Sequence, residues 1–224
     1  MGYYILHCVK QRFFLGVLLA ASLAFTACSA AENDAARFKH EYEVLNGQTN
    51  LSGEHTYRTL SIPKKNPFVY VDGEEAKTLL TSESGIMFMG FPECPWCRTL
   101  LPALIAAVQE SGYKGKVYYY NGLEDRDVLR LDEDGNIVTE DEGQPIYHEL
   151  VKILYDHLGP YAALNDDSIR RIYFPTTVFF KDGVVMSAHL ATVDSQEKGY
   201  DPLTDAQFTE LKNELIAQCY SVIR

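Results

Sequence analysis

Hydrophobic and polar positions change period several times along this chain, and each change marks an element. Phe68-Val69-Tyr70-Val71 is a short β-rich run. Asp72 with Glu75 three residues later has the form of a capping box, ahead of Ala76, Leu79 and Leu80 at helical spacing. Ile86 to Met89 is apolar throughout, as expected of a strand buried on both faces. A helical stripe of Leu100, Leu101, Leu104, Ile105 and Val108 runs to about Gln109, and Pro102 inside it predicts a kink. Lys116 to Asn121 reads as the next strand. Strands alternating with helices predict parallel pairing in an α/β layer. Pro145 opens a helix over Ile146–Leu158, with Leu150, Val151, Leu154 and Leu158 inward and Gly159-Pro160 as its stop. Tyr161 to Arg171 reads as a loop. Thr176–Phe180 and Val184–Leu190 flank Lys181-Asp182-Gly183 and predict an antiparallel hairpin. Thr204 and Gln207 form a second capping box before a closing helix with Phe208, Leu211, Leu215, Cys219 and Val222 on its apolar face.

Outside this core the pattern is different. Lys10 and Arg12 precede an apolar stretch from Phe13 to Ala24, which reads as an export signal over residues 1–27. The stretch is 12 residues long, against about 20 needed to span a bilayer. Small residues before Cys28 resemble a bacterial lipobox, in which the cysteine carries lipid and anchors the chain to the membrane from outside the cytoplasm. Residues 28–41 are small, polar and charged, as in a tether. Glu41–Leu45 and Tyr57–Ile62, with Asn46-Gly47 and Ser52-Gly53 between them, predict a peripheral hairpin within residues 42–67. Residues 122–144 are rich in acids, and Val128–Leu131 and Asn136–Thr139 flank Asp134-Gly135, a strong turn signal. Asp132 and Asp134 lack the spacing of a calcium loop, because the glycine comes too early and the required glutamate is missing.

The 224 residues carry a net charge of −11 and no basic stretch, which excludes nucleic acid as a partner. With Cys8 in the signal and Cys28 lipidated, the mature thiols are Cys94, Cys97 and Cys219. One pair and one leftover is not a disulfide framework, and a zinc site would need a second ligand pair that the sequence lacks. No metal and no cofactor are expected. Cys219 sits on an apolar helix face and reads as a buried inert thiol, while His148, His157 and His189 show no ligand spacing. Cys94-Pro95-Trp96-Cys97 lies where a strand hands over to a helix. There the helix N-terminus favours a thiolate on Cys94, and the spacing allows Cys97 to close a disulfide. Residues on hand to tune that pair are Glu93, Pro95 and Arg98, with Arg170 and Arg171 as further cations.

The pattern resembles the thioredoxin fold over roughly residues 68–223. Cys94-Pro95-Trp96-Cys97-Arg98 with Pro102 looks like its active-site helix. Phe174-Pro175-Thr176, followed by Val178-Phe179-Phe180-Lys181-Asp182-Gly183, looks like its cis-proline loop and hairpin. More narrowly, Phe91-Pro92-Glu93-Cys94, Tyr118-Tyr119-Tyr120-Asn121 and Thr192-Val193-Asp194-Ser195 resemble thioredoxin-like lipoproteins of the bacteriocin transport accessory type. The resemblance implies an α/β fold with a central mixed sheet, an N-terminal hairpin extension, and an insertion at about 122–160. It also implies a redox-active Cys94–Cys97 disulfide, with Cys94 as nucleophile and Cys97 as resolving thiol. Pro175 would then be a cis-proline, and Trp96, Phe174 and Pro175 would contact substrate. The expected activity is thiol–disulfide exchange on protein or peptide thiols and disulfides, with a redox partner protein and membrane attachment through lipid on Cys28. The alternative is a non-catalytic module that binds an exported peptide or transport component. The chain departs from the family pattern at Phe88, where thioredoxins bury an aspartate, and at Glu93, where they carry tryptophan. It departs again at Leu190-Ala191, where a glycine is usual, and in the 78 residues from Cys97 to Pro175.

Overall fold

A computed structural model describes residues 33–223. The signal over residues 1–27 and the lipid-bearing Cys28 lie outside the described residues. In chain order the elements are helix α1 (33–43), β1 (Phe68–Tyr70), α2 (Gly73–Ser82), β2 (Gly85–Met89), α3 (Pro95–Glu110), β3 (Val117–Tyr120), β4 (Val128–Leu131), β5 (Ile137–Asp141), α4 (Pro145–Leu154), a 3-10 turn (Tyr155–His157), β6 (Thr176–Lys181), β7 (Val184–Leu190) and α5 (Asp205–Ile223). Both expected capping boxes form: Asp72 with Glu75 ahead of α2, and Thr204 with Gln207 ahead of α5.

Five strands form one mixed sheet in the order β1-β3-β2-β6-β7. β3 runs parallel to both β1 and β2, while β6 is antiparallel to β2 and to β7. Side chains alternate between two faces because the strand period is two residues. Ile86, Phe88, Val117, Tyr119 and Phe179 join the core under α1, α3 and α5. Met87, Met89, Tyr120, Val178 and Phe180 join the core under α2 and α4. With helices on both faces, β2 has no solvent side, which explains its unbroken apolar run. Between β6 and β7, Asp182 and Gly183 both have positive φ, as a two-residue hairpin turn demands. A Cβ on Gly183 would lie 2.4 Å from the Thr81 carbonyl oxygen.

The N-terminal region differs from expectation in a way that matters for the site. Residues 33–43 are a docked helix, not a tether, so Glu41–Leu45 is no strand; the chain doubles back only through one isolated antiparallel bridge between Thr49 and Thr56, and Tyr57–Ile62 is no strand either. Ala35, Phe38 and Tyr42 recur at helical spacing and are buried, while Arg37–Glu41 and Lys39–Glu43 pair along the outer face. Phe38 stacks on Phe68 at 3.9 Å between ring centroids. The segment at about 122–160 also divides. Its hairpin β4–β5 is a separate two-stranded sheet, whereas α4 covers the second face of the main sheet beside α2.

Candidate functional site

Cys94 is the N-cap of α3, and Pro95 follows at a position where its missing N–H costs the helix nothing. The Cys94 sulfur accepts a hydrogen bond from the backbone N–H of Cys97 at 3.1 Å. It also donates to the carbonyl of Phe174 at 3.5 Å. The Phe174–Pro175 bond is cis. Two stretches 80 residues apart in sequence thus meet at one sulfur. Cys94, Cys97 and Cys219 are free thiols in this structure.

The two site thiols are unequal. Burial pushes the Cys94 thiol upward, but hydrogen bonds from the Cys97 side chain and from the N–H groups of Cys97 and Trp96 outweigh it. Together with the positive charge of Arg126, they hold the thiol below its ordinary value. Cys97 is fully buried, and burial, the bond to Cys94 and the charge of Cys94 drive its thiol well above the ordinary value. A Cβ on Gly90 would sit 2.8 Å from the Phe88 ring and 2.9 Å from the Cys97 sulfur. The wall beside Cys97 is therefore aromatic and tightly closed. Glu93 is exposed, so it does not replace a buried acid there.

Around the sulfurs the surface is aromatic. Phe91 and Phe174 meet edge to face at 5.7 Å, and both are half-buried. Trp96 is half-buried against Gly199, whose carbonyl accepts from the Thr99 hydroxyl at 2.9 Å. The indole combines packing with partial exposure.

Arg98 is 1% exposed, which rules out a place on the surface. Its guanidinium donates to the carbonyls of Tyr42 (2.8 Å), Pro92 (3.2 Å) and Arg58 (2.6 and 3.2 Å) and to the side-chain oxygen of Asn46 (2.8 Å). It fastens α1 and the following turns onto the first turn of α3. The tuning cation is a different residue, Arg126, on the segment leading into β4. Its guanidinium carbon lies 5.9 Å from the Phe174 ring centroid. Arg171 instead stacks on Tyr161 and Arg170 lies over Tyr155. Nothing local in the sequence marks Arg126, because it reaches the site only through the fold.

Cys219 is buried on α5, and its burial pushes the thiol upward. Among the described residues no group of His, Cys, Asp and Glu has the arrangement of a metal site, and no helix is long and apolar enough to cross a membrane. Pro92 and Glu93 also border a cleft of about 710 Å³, together with Arg37, Glu41, Tyr70, Asp72 and Glu75. Compared with protein-family models and with curated proteins, the chain matches none.

Proposed function

We propose that this chain is a thiol–disulfide oxidoreductase with a thioredoxin-type fold, held outside the cytoplasm by lipid on Cys28. The asymmetry of the two thiols carries the reading. Cys94 is favoured as thiolate at a helix N-terminus, and Cys97 is buried and kept protonated beside it. The mixed sheet, with its cis-proline loop facing the first sulfur, supports it.

In the reducing direction, the Cys94 thiolate attacks one sulfur of a protein or peptide disulfide, and the other sulfur leaves as thiolate and takes a proton. Cys97 then attacks the Cys94 sulfur of the mixed disulfide. The second substrate thiol is released and the Cys94–Cys97 disulfide remains. A redox partner protein returns two electrons. The oxidising direction is the same sequence reversed, and the potential of the couple selects between them, near about −270 mV for a reductant or about −120 mV for an oxidant.

The test follows turnover of a disulfide-bonded peptide. Cys94→Ser should abolish turnover, and Cys97→Ser should accumulate the mixed disulfide. A Cys94→Ser protein that performs as well as wild type would sink the proposal. Since the chain has one tryptophan and it lies between the two cysteines, emission of Trp96 in glutathione buffers gives the potential. The separate β4–β5 sheet favours a second reading, a non-catalytic module that binds an exported peptide or transport component through that hairpin. Equal capture of a partner by wild type, Cys94→Ser and Cys97→Ser, with no turnover, would establish it.

A further inference from the structure

Arg126 is half-buried at the edge of the thiol site, over the ring of Phe174, whose carbonyl receives the Cys94 thiol. Among the described residues its guanidinium makes no hydrogen bond and no ion pair. Of the other arginines named for the site, the Arg170 side chain also makes no hydrogen bond among the described residues but lies over Tyr155, away from Phe174, and the rest are occupied. Arg98 spends its donors on carbonyls and Asn46, and Arg171 donates to the Asp127 carbonyl at 3.3 Å. Asp125 and Asp127 flank it in the chain: Asp125 accepts from the Tyr120 hydroxyl at 2.6 Å, and Asp127 is buried, its carboxyl raised by burial against the opposing charges of His148, Arg171 and Arg126, and neither carboxylate forms an ion pair with the guanidinium. Arg171 adds a like charge from the neighbouring loop. A guanidinium with five N–H donors, no carboxylate partner and a flat aromatic ring on one side is suited to a planar oxyanion.

The position of that cation has a chemical meaning. Phe91, Trp96 and Phe174 border the sulfurs, and Arg126 stands over the Phe174 ring, so this surface is where residues beside a cysteine docked at Cys94 would meet a cation. Without residues 1–27, which hold two of the 20 basic and none of the 31 acidic residues, the chain carries −13 and repels acidic chains at long range. A cation without an ion pair over Phe174 is therefore a local discriminator, not a general attraction.

We propose that Arg126 recognises a carboxylate beside the attacked disulfide and so selects acidic disulfide-bearing peptides. The assignment rests on the thiol-exchange reading above. It makes Arg126 a specificity residue supplied by the segment before β4, and gives that segment a role at the site.

The test uses the full reduced chain and two small disulfides, the dianionic disulfide of nitrothiobenzoate and neutral dithiodipyridine. Cys94 attacks either probe and releases one aryl thiolate. Cys97 then displaces the second and leaves the Cys94–Cys97 disulfide. Both probes meet the same thiolate, so the ratio of their rates cancels any change in Cys94 ionisation. In Arg126→Gln the ratio of anionic to neutral rate should fall roughly three- to fivefold, the size of one partly screened charge contact. Arg126→Glu should lower it further, Arg126→Lys should keep most of it, and molar salt should remove the difference. Two disulfide-linked peptides that differ only by Asp or Asn beside the cysteine should show the same loss of preference. Either ratio holding constant between wild type and Arg126→Gln overturns the assignment. A wild type that shows the anionic preference but turns over no peptide disulfide would refute the oxidoreductase reading and leave the anion site standing.

Discussion

Replacing Arg98 should detach the N-terminal segment from the site helix, and the structure gives the scale of the effect. The guanidinium serves four acceptors, all uncharged. Asn46 would keep a partner, since its side-chain oxygen also accepts from the Leu60 N–H at 2.9 Å. The carbonyls of Tyr42, Pro92 and Arg58 would lose theirs. Tyr42 lies in the last turn of α1, where carbonyls have no partner within the helix and a cation is favourable. Each buried carbonyl left without a donor costs about 1–3 kcal/mol. We take the low end, because water enters once α1 loosens and because burial of the cation itself is costly. Arg98→Met should then lose about 3 kcal/mol, or roughly 6–12 °C in Tm for a domain of this size. Arg98→Lys, with a charge but a single ammonium, should fall between.

Stability alone would not identify the cause, so the assay has two parts. Denaturant unfolding gives the free energy, and native-state hydrogen exchange gives its location. Amides in residues 33–62 should exchange far faster in Arg98→Met, while amides of β2 and β6 should change only with global stability. A loss under about 1 kcal/mol, or protection lost evenly over the whole sheet, would refute the clamp.

Three further outcomes follow from other positions. Ala191 holds φ 57 while its N–H donates to the Pro175 carbonyl at 2.9 Å; Ala191→Gly should therefore stabilise by about 0.5–1 kcal/mol in thermal unfolding, and a loss of stability would contradict it. The depressed Cys94 thiol should give the reduced protein a stability advantage over Cys94→Ser that grows with pH, by at most about 1.4 kcal/mol per unit, from the depressed value up to the ordinary thiol value of about 8.5. That advantage is lost as pH falls through the depressed value, and a pH-independent difference in urea midpoints would refute the shift. A Cβ at Gly199 would lie 2.9–3.0 Å from three atoms of the Trp96 ring, so Gly199→Ala should displace the indole and move its emission maximum; an unchanged spectrum would count against the contact.

Sequence reasoning reached those parts of the molecule whose signals are local. The capping boxes at Asp72 and Thr204, the turn at Asp182-Gly183 and the cysteine pair at the start of α3 each depend on residues within a few positions of one another. Phe174-Pro175 was legible only through resemblance, since the residues themselves do not say which sulfur they face. Helix α1 escapes a compositional reading because charged residues separate Ala35, Phe38 and Tyr42 and give the segment the look of a solvated tether. The helical spacing was nevertheless present in both the apolar and the charged sets. Arg98 was expected to tune the thiols and instead fastens α1, while Arg126 carries no local signal at all, for a reason that no local pattern contains. The acceptors of Arg98 are mostly backbone carbonyls from segments 40 and 56 residues away, and Arg126 meets Phe174 only because the chain returns through β6.

The aromatic wall behind Cys97 sets a kinetic expectation of its own. In the proposed exchange, attack on the mixed disulfide requires the Cys97 thiolate, and burial keeps that thiol well above its ordinary value. Phe88 offers no proton acceptor, Glu93 is exposed, and once Cys94 is in the mixed disulfide it is no longer a thiolate that can share the Cys97 proton. Resolution therefore depends on the small fraction of Cys97 that ionises, and that fraction rises about tenfold per pH unit while pH stays below the raised value. The first step should have a weaker dependence, levelling off once pH passes the depressed Cys94 value. Rapid mixing of reduced protein with a peptide disulfide, followed by acid quench and mass measurement, separates the two rates. The mixed disulfide should be most abundant at low pH and should vanish as pH rises, with Cys97→Ser holding it at every pH. A resolution rate independent of pH across the neutral range would show that Cys97 passes its proton to a group in the protein, the buried hydroxyls of Tyr42 and Tyr119 being the ones that feel its charge.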